Sequence, residues 1–180
     1  QTQTIPLALT GQDIIGQAKT GTGKTFGFGL PLLQRIGANP EPGVQALIVV
    51  PTRELCVQVF QDLELAARDR KATVVPIYGG KAYEGQIEQL KDGAQIVVGT
   101  PGRLRDHIER GSLDMSLLHV AVLDEADEML DLGFAEDLEF ILAAAPDSRR
   151  TLMFSATVPQ EIAKLAATFQ KDALRIAAQG

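Results

Sequence analysis

Apolar residues follow two rhythms along this chain. Some runs are apolar at consecutive positions, such as Leu47-Ile48-Val49-Val50 and Val120-Ala121-Val122-Leu123. Others recur every three or four positions. The first rhythm is that of strands buried on both faces, as in a parallel sheet covered by helices; the second is that of amphipathic helices. The short runs predict strands over Asp13–Gln17, Ala46–Val50, Thr73–Ile77, Gln95–Gly99, Val120–Asp124, Thr151–Ser155 and Leu174–Ala177. The periodic stretches predict helices near Gly23–Arg35, Arg53–Arg68, Tyr83–Lys91, Gly102–Arg110, Ala135–Ala144 and Gln160–Phe169. Strand and helix alternate over the whole length, which predicts one α/β domain with a mostly parallel sheet and helices on both faces. Asn39–Gly43 reads as a surface loop.

That architecture says where to look for chemistry. In open parallel sheets, ligands bind beyond the carboxyl ends of the strands. Six predicted strand ends carry polar clusters: Lys19–Thr25, Pro51–Glu54, Gly79-Gly80, Thr100–Arg103, Asp124–Asp127 and Ser155–Thr157.

The first cluster suits a polyphosphate. Gly21 and Gly23 let the backbone turn tightly and point N–H groups inward, forming an anion nest with the start of the next helix. Lys24 supplies a point charge for the β and γ phosphates, and the Thr25 hydroxyl suits magnesium. Ala18 replaces the first glycine of the strict G-x-x-x-x-G-K-[ST] pattern. A glycine-rich turn before a helix with no ligand is the alternative reading.

The acidic cluster suits a metal and a water. Asp124 ends an apolar strand, the place for a carboxylate that orders magnesium through water, and Glu125 beside it is placed to polarise an attacking water. Alternatively, both acids cap a helix that begins near Glu125.

Composition narrows the partners. The chain has 180 residues and a formal net charge of −6. An acidic domain does not attract a polyanion at long range, so nucleic acid must be held locally, by a few arginines, backbone N–H groups and helix starts. Thr100 before Pro101 has the form of an N-cap with proline at the first helical position, and Thr52-Arg53 makes a similar start. No apolar run approaches the ~20 residues that cross a bilayer, so no membrane partner is expected. Cys56, the single cysteine, excludes an intrachain disulfide and reads as a core thiol in a reducing, cytoplasmic setting. His107 and His119 lack the spacing of metal ligands.

These segments together resemble the DEAD-box RNA helicases. Asp124-Glu125-Ala126-Asp127 spells the family's name. Ala18-Lys19-Thr20-Gly21-Thr22-Gly23-Lys24-Thr25, Pro51-Thr52-Arg53-Glu54-Leu55, Gly79-Gly80, Thr100-Pro101-Gly102-Arg103 and Ser155-Ala156-Thr157 stand in the family's order. The resemblance covers essentially the whole chain and implies the first, N-terminal RecA-like P-loop domain of the helicase core, of bacterial type. Residues 1–180 would then be a fragment that works with a second RecA-like domain.

The resemblance also distributes roles. Ala18 through Thr25 bind ATP, with Lys24 and Thr25 at the phosphates and Mg2+. Asp124 orders Mg2+, and Glu125 is the catalytic base. Pro51, Thr52, Arg53, Gly79, Gly80, Thr100, Pro101, Gly102 and Arg103 contact the RNA backbone without reading bases. Ser155, Ala156 and Thr157 couple hydrolysis to strand separation, partly through hydrogen bonds to Asp127. Gln1 resembles the glutamine that recognises adenine, since Gln1-Thr2-Gln3-Thr4-Ile5-Pro6 matches the end of that motif. Lys19, where the family commonly has glutamine, arginine or another polar residue, implies an auxiliary charge. A DNA-directed helicase or translocase, and a nucleotide-dependent RNA clamp that does not unwind, are the alternatives. The particular RNA and any protein partners are not encoded in these motifs.

Overall fold

Among the described residues, seven short strands line up side by side, every neighbouring pair parallel, in the order β3-β4-β2-β5-β6-β1-β7. The computed structural model describes residues 14–17, 43–68, 72–170 and 174–177. In chain order the elements are β1 (Ile14–Gln17), β2 (Ala46–Val49), α1 (Arg53–Ala66), β3 (Val74–Ile77), α2 (Tyr83–Lys91), β4 (Ile96–Gly99) and α3 (Pro101–Arg110). They continue with β5 (Val120–Leu123), α4 (Ala126–Asp131), α5 (Ala135–Ala144), β6 (Arg150–Ser155), α6 (Gln160–Phe169) and β7 (Leu174–Ala177). Each described strand begins and ends within one residue of its expected bounds. The expected helix over Gly23–Arg35 lies outside the described residues, as do Gln1, Ala18, Lys19, Thr20, Gly21, Thr22, Gly23, Lys24 and Thr25.

The consecutive apolar runs have the predicted cause. Alternate residues of one strand feed two separate cores. Leu47, Val49, Val97, Ala121, Leu123 and Met153 face one side, against Leu104 of α3, Met129 of α4, Leu138 and Ile141 of α5, and Ile162 of α6. Ala46, Ile48, Ile96, Val98, Val120 and Val122 face the other, against Leu55, Cys56, Val59 and Leu63 of α1. Both faces are dry, so β2, β4 and β5 are buried throughout. Among the described residues no helix is long and apolar enough to cross a membrane.

Caps and close approaches set the strand ends. Thr52 is the N-cap of α1, and its hydroxyl accepts the Leu55 N–H at 3.2 Å. Gly99, the last residue of β4, has no room for a side chain: a Cβ there would stand 2.5 Å from Leu104 Cδ2 and 2.7 Å from the Ile77 carbonyl oxygen. That contact seats α3 directly on the sheet, just after its own strand.

Candidate functional site

Hydrogen bonds just beyond the strands keep the polar clusters in one row. The Val50 N–H donates to the Gly99 carbonyl (2.9 Å), the Thr100 N–H to the Ile77 carbonyl (3.0 Å), and the Asp124 N–H to the Val49 carbonyl (2.9 Å). The carboxyl ends of β2, β3, β4 and β5 are therefore in register. Residues 51–54, 79–80, 100–103 and 124–127 follow those ends directly.

Asp124 is buried, with 1% of its surface exposed. Glu125 follows it in a left-handed backbone conformation, φ 53° and ψ 50°, which for a residue with a Cβ costs about 1–2 kcal/mol. Strain of this kind persists where the surroundings enforce it, and it collects at functional sites. Glu125 occupies the N-cap position of α4, yet its side chain makes no cap bond. The capping alternative for Glu125 thus lacks the interaction that would justify it. Glu128, one turn on, is raised above the usual carboxylate range, first by loss of water and then by the Glu125 charge and hydrogen bond.

Asp127 ties this corner to β6. Its N–H donates to the buried Ser155 hydroxyl at 3.2 Å. Its carboxylate accepts the Thr157 hydroxyl at 3.0 Å, the Thr157 N–H at 3.1 Å and the Glu128 N–H at 3.0 Å. Burial alone would raise this carboxyl, but the donors of Thr157, Ser155 and Glu128 outweigh it and hold it below the usual range. The expected pairing of Asp127 with Ser155 and Thr157 is present; Ala156 lies exposed between them.

The remaining clusters divide by exposure. Arg53, Gly79 and Gly80 are exposed, and Thr52, Thr100, Gly102 and Arg103 are half-buried. The Arg53 guanidinium lies 5.5 Å from the Tyr78 ring centroid and close over Gly80, whose φ is +86°. Pro51 and Pro101 are buried, so they shape the backbone rather than present a surface. Thr100 is the N-cap of α3 with Pro101 next, as expected, but its side chain makes no cap bond. The hydroxyl is not committed to the first turn, so the helix start keeps its donors for another acceptor.

One cluster had no signal in the sequence. Gln86, the only buried residue of α2, contacts Arg103, His107 and the Tyr78 carbonyl. His107 is fully buried and lowered from the usual imidazole value by burial first, then by the charges of Arg103 and Arg110. The Tyr83 ring carries the Arg103 guanidinium at 3.9 Å and that of Arg110 at 3.8 Å. Its partners lie on a different helix, so no local pattern announces them. Cys56 is the inert core thiol expected, pushed up to about 12 by burial. Phe154 is core. Phe140 is half-buried, with the Arg105 guanidinium 4.7 Å from its ring centroid.

Comparison with known proteins decides the family. The DEAD/DEAH box helicase model matches residues 1–165. The chain belongs to the DEAD/DEAH box helicase family. Among DEAD-box relatives, the ATP-dependent RNA helicase CshA of Bacillus licheniformis is 52% identical over 173 residues, 96% of this chain and 35% of that protein. The CshA of Streptococcus pneumoniae is 51% identical over 181 residues, 99% of this chain and 34% of that protein. This DEAD-box chain therefore spans about a third of the length of the curated relatives it matches. Its fold matches the crystal structure of a DEAD box protein from Methanococcus jannaschii with a TM-score of 0.93 and 46% identity, over 98% of this chain and 48% of that one. A hypothetical ATP-dependent RNA helicase from Sulfolobus tokodaii gives a TM-score of 0.89 at 39% identity, over 98% of this chain and 51% of that one. The RecA-like α/β fold expected from the motifs is the fold observed.

Proposed function

We propose that this chain is the N-terminal RecA-like domain of a cytoplasmic ATP-dependent RNA helicase. It binds ATP with magnesium and one strand of RNA, and it works with a second RecA-like domain. The observation that carries the reading is Glu125, held in a strained backbone beside the buried Asp124 and free of any capping duty. The names of the two CshA relatives and of the Sulfolobus tokodaii protein, ATP-dependent RNA helicases, favour RNA over DNA and unwinding over clamping.

The donor chemistry fits magnesium. That ion takes oxygen ligands, keeps several waters, and relies on one or two protein groups plus substrate phosphates. Asp124 is such a group, and the described residues contain no cluster of three or more His, Cys, Asp or Glu that would make a closed site. Asp124 and Thr25 would hold the ion, which when bound offsets charge on the phosphates. Lys24 and the amides of the Gly21–Gly23 turn bind the phosphates, with Lys19 as an auxiliary charge and Gln1 at the adenine edge. Glu125 takes a proton from the attacking water at its carboxylate. Asp127, through Ser155 and Thr157, passes the state of that corner to β6. Thr52, Arg53, Gly79, Gly80, Thr100, Gly102 and Arg103 form a track for the RNA backbone, with Pro51 and Pro101 shaping it.

The test separates binding from chemistry in a protein carrying both domains. Glu125→Gln keeps ATP affinity and lowers RNA-stimulated phosphate release by roughly 10²-fold or more. Lys24→Ala weakens ATP tenfold or more, on the order of a lost charge-assisted contact, and Lys19→Gln has a smaller effect. Unchanged turnover in Glu125→Gln would overturn the proposal.

A further inference from the structure

Arg103 belongs to the proposed RNA track, yet its guanidinium is engaged within the protein. Nη1 donates to the Lys81 carbonyl at 2.7 Å and to Gln86 Oε1 at 3.1 Å. The guanidinium carbon stands 3.9 Å from the Tyr83 ring centroid. Gln86 is 5% exposed, and its Nε2 donates to the Tyr78 carbonyl at 3.0 Å. That donation fixes the orientation of the amide, so Oε1 faces Arg103 and His107. Oε1 only accepts, so the proton of His107 sits on Nε2, which donates to it at 2.8 Å. His107 Nδ1 then accepts from the Ser112 hydroxyl at 2.7 Å, a single proton that Nδ1 shares with the His107 carbonyl oxygen at 3.2 Å. Both ends of the Gln86 amide, both ring nitrogens of His107 and Nη1 of Arg103 are bonded, which stiffens the network.

The bonds converge on one segment. Tyr78 and Lys81 flank Gly79-Gly80. Gln86 holds the carbonyl on one side of the doublet, and Arg103 holds the carbonyl on the other. The doublet itself is exposed and includes the positive φ of Gly80. Lysine could not replace Arg103 here, because a planar fork that stacks and donates is needed where an ammonium offers a point charge.

We infer that Arg103 is a positioning residue rather than a phosphate ligand: with Gln86 and His107 it pins the Gly79-Gly80 turn so that the backbone there meets the RNA. This rests on the RNA-track reading above and assigns the work within it. Turning Nη1 toward a phosphate would give up both hydrogen bonds, and swinging the whole side chain out would also give up the aromatic stack. Gln86 acts through Arg103 and through the Tyr78 carbonyl, and Tyr83 acts by supporting the guanidinium plane.

The experiment uses a protein carrying both domains, a labelled oligouridylate and a non-hydrolysable ATP analogue. Affinity is measured by anisotropy across a salt series, and amide hydrogen exchange is followed without RNA. Arg103→Lys should weaken RNA as much as Arg103→Ala, each roughly tenfold, with the salt slope unchanged, because a lost phosphate contact would lower the slope by about one. Gln86→Leu should weaken RNA similarly, and the double variant should lose clearly less than the sum of the two single losses, whereas independent sites add. Exchange should quicken at residues 79–82 in Arg103→Lys and Gln86→Leu, with β4 unaffected. Should Gln86→Leu fail to fold, Tyr83→Leu replaces it, and Tyr83→Phe, which keeps the ring, should restore binding. Wild-type affinity in Arg103→Lys, a reduced slope in Arg103→Ala, or additive losses would overturn the inference while leaving the RNA track standing. A wild-type protein with no affinity for the oligouridylate would overturn the track and the inference with it.

Discussion

One carboxylate oxygen of Asp127 receives both the hydroxyl and the backbone N–H of Thr157, at 3.0 and 3.1 Å. The two residues belong to neighbouring strand ends, so the pair bolts the first turn of α4 to the segment after β6. Thr157→Val removes one donor and should destabilise the fold by about 1 kcal/mol, a low value for a charged acceptor because both groups reach solvent. In the proposed helicase it should reduce duplex separation more than ATP hydrolysis. Urea unfolding and paired ATPase and strand-displacement assays check both halves. Equal loss in the two assays would remove the coupling role. The Asp127 carboxyl is depressed in the fold, so its contribution is present above the unfolded value near 3.8 and is lost as pH falls through the folded one.

His107 makes stability depend on pH in a higher window. Its folded value lies below the usual 6.5, so the unfolded chain binds a proton that the native one refuses. Stability is then full above about pH 6.5 and declines as pH falls from there toward the folded value. His107→Gln keeps a donor for Gln86 but cannot titrate. Urea midpoints at pH 7.5 and 5.5 should therefore differ more for the wild type than for the variant. The same difference in both proteins would mean that another group is responsible.

The strain at Glu125 has a measurable signature. Glycine accepts a positive φ without penalty, while alanine carries the same Cβ as glutamate. Glu125→Gly should be more stable than Glu125→Ala by about 1 kcal/mol, and both should lose turnover. If alanine proves as stable as glycine, the left-handed backbone is not held in solution.

How much of this was legible beforehand depends on whether the cause is local. Val120–Leu123 announces a doubly buried strand because its apolar residues serve two cores at once. Thr52 announces a cap because hydroxyl and acceptor amide lie three residues apart. The same reasoning gave Thr100 its position but not its side chain, since residue type does not say where a hydroxyl turns. Glu125 was legible as an acid at a strand end, but a positive φ is not signalled by glutamate. Gln86 and His107 stand 21 positions apart on different helices, and α2 looks like a solvated surface helix until its one buried side chain is located. The phosphate loop, the clearest motif in the sequence, lies outside the described residues and stands on its motif alone.

Alone, this chain should bind nucleotide yet fail to separate strands. The arginine that stabilises a transferred phosphoryl group from opposite the phosphate loop is worth roughly 10³–10⁵ in rate in related nucleotidases, and by family resemblance it belongs to the second domain. An acidic domain with only the proposed short backbone track should also hold RNA weakly. A strand-displacement assay on residues 1–180 checks this. Robust ATP-dependent unwinding would refute the division of labour.

The sheet order carries a consequence for biosynthesis. β1 has no partner near it in sequence; it is inserted between β6 and β7, with Ile14 opposite Leu152 on one side and Leu174 on the other. A ribosome adds roughly 5–20 residues per second, so β1 waits on the order of ten seconds for the two strands that receive it. Until then the segment bearing the phosphate loop is tethered to an unfinished domain while β2, β4 and β5 can already assemble. Nucleotide can therefore reward only a chain made through β6 and β7, and slow translation before β6 prolongs the interval in which an unpaired apolar strand is exposed to chaperones.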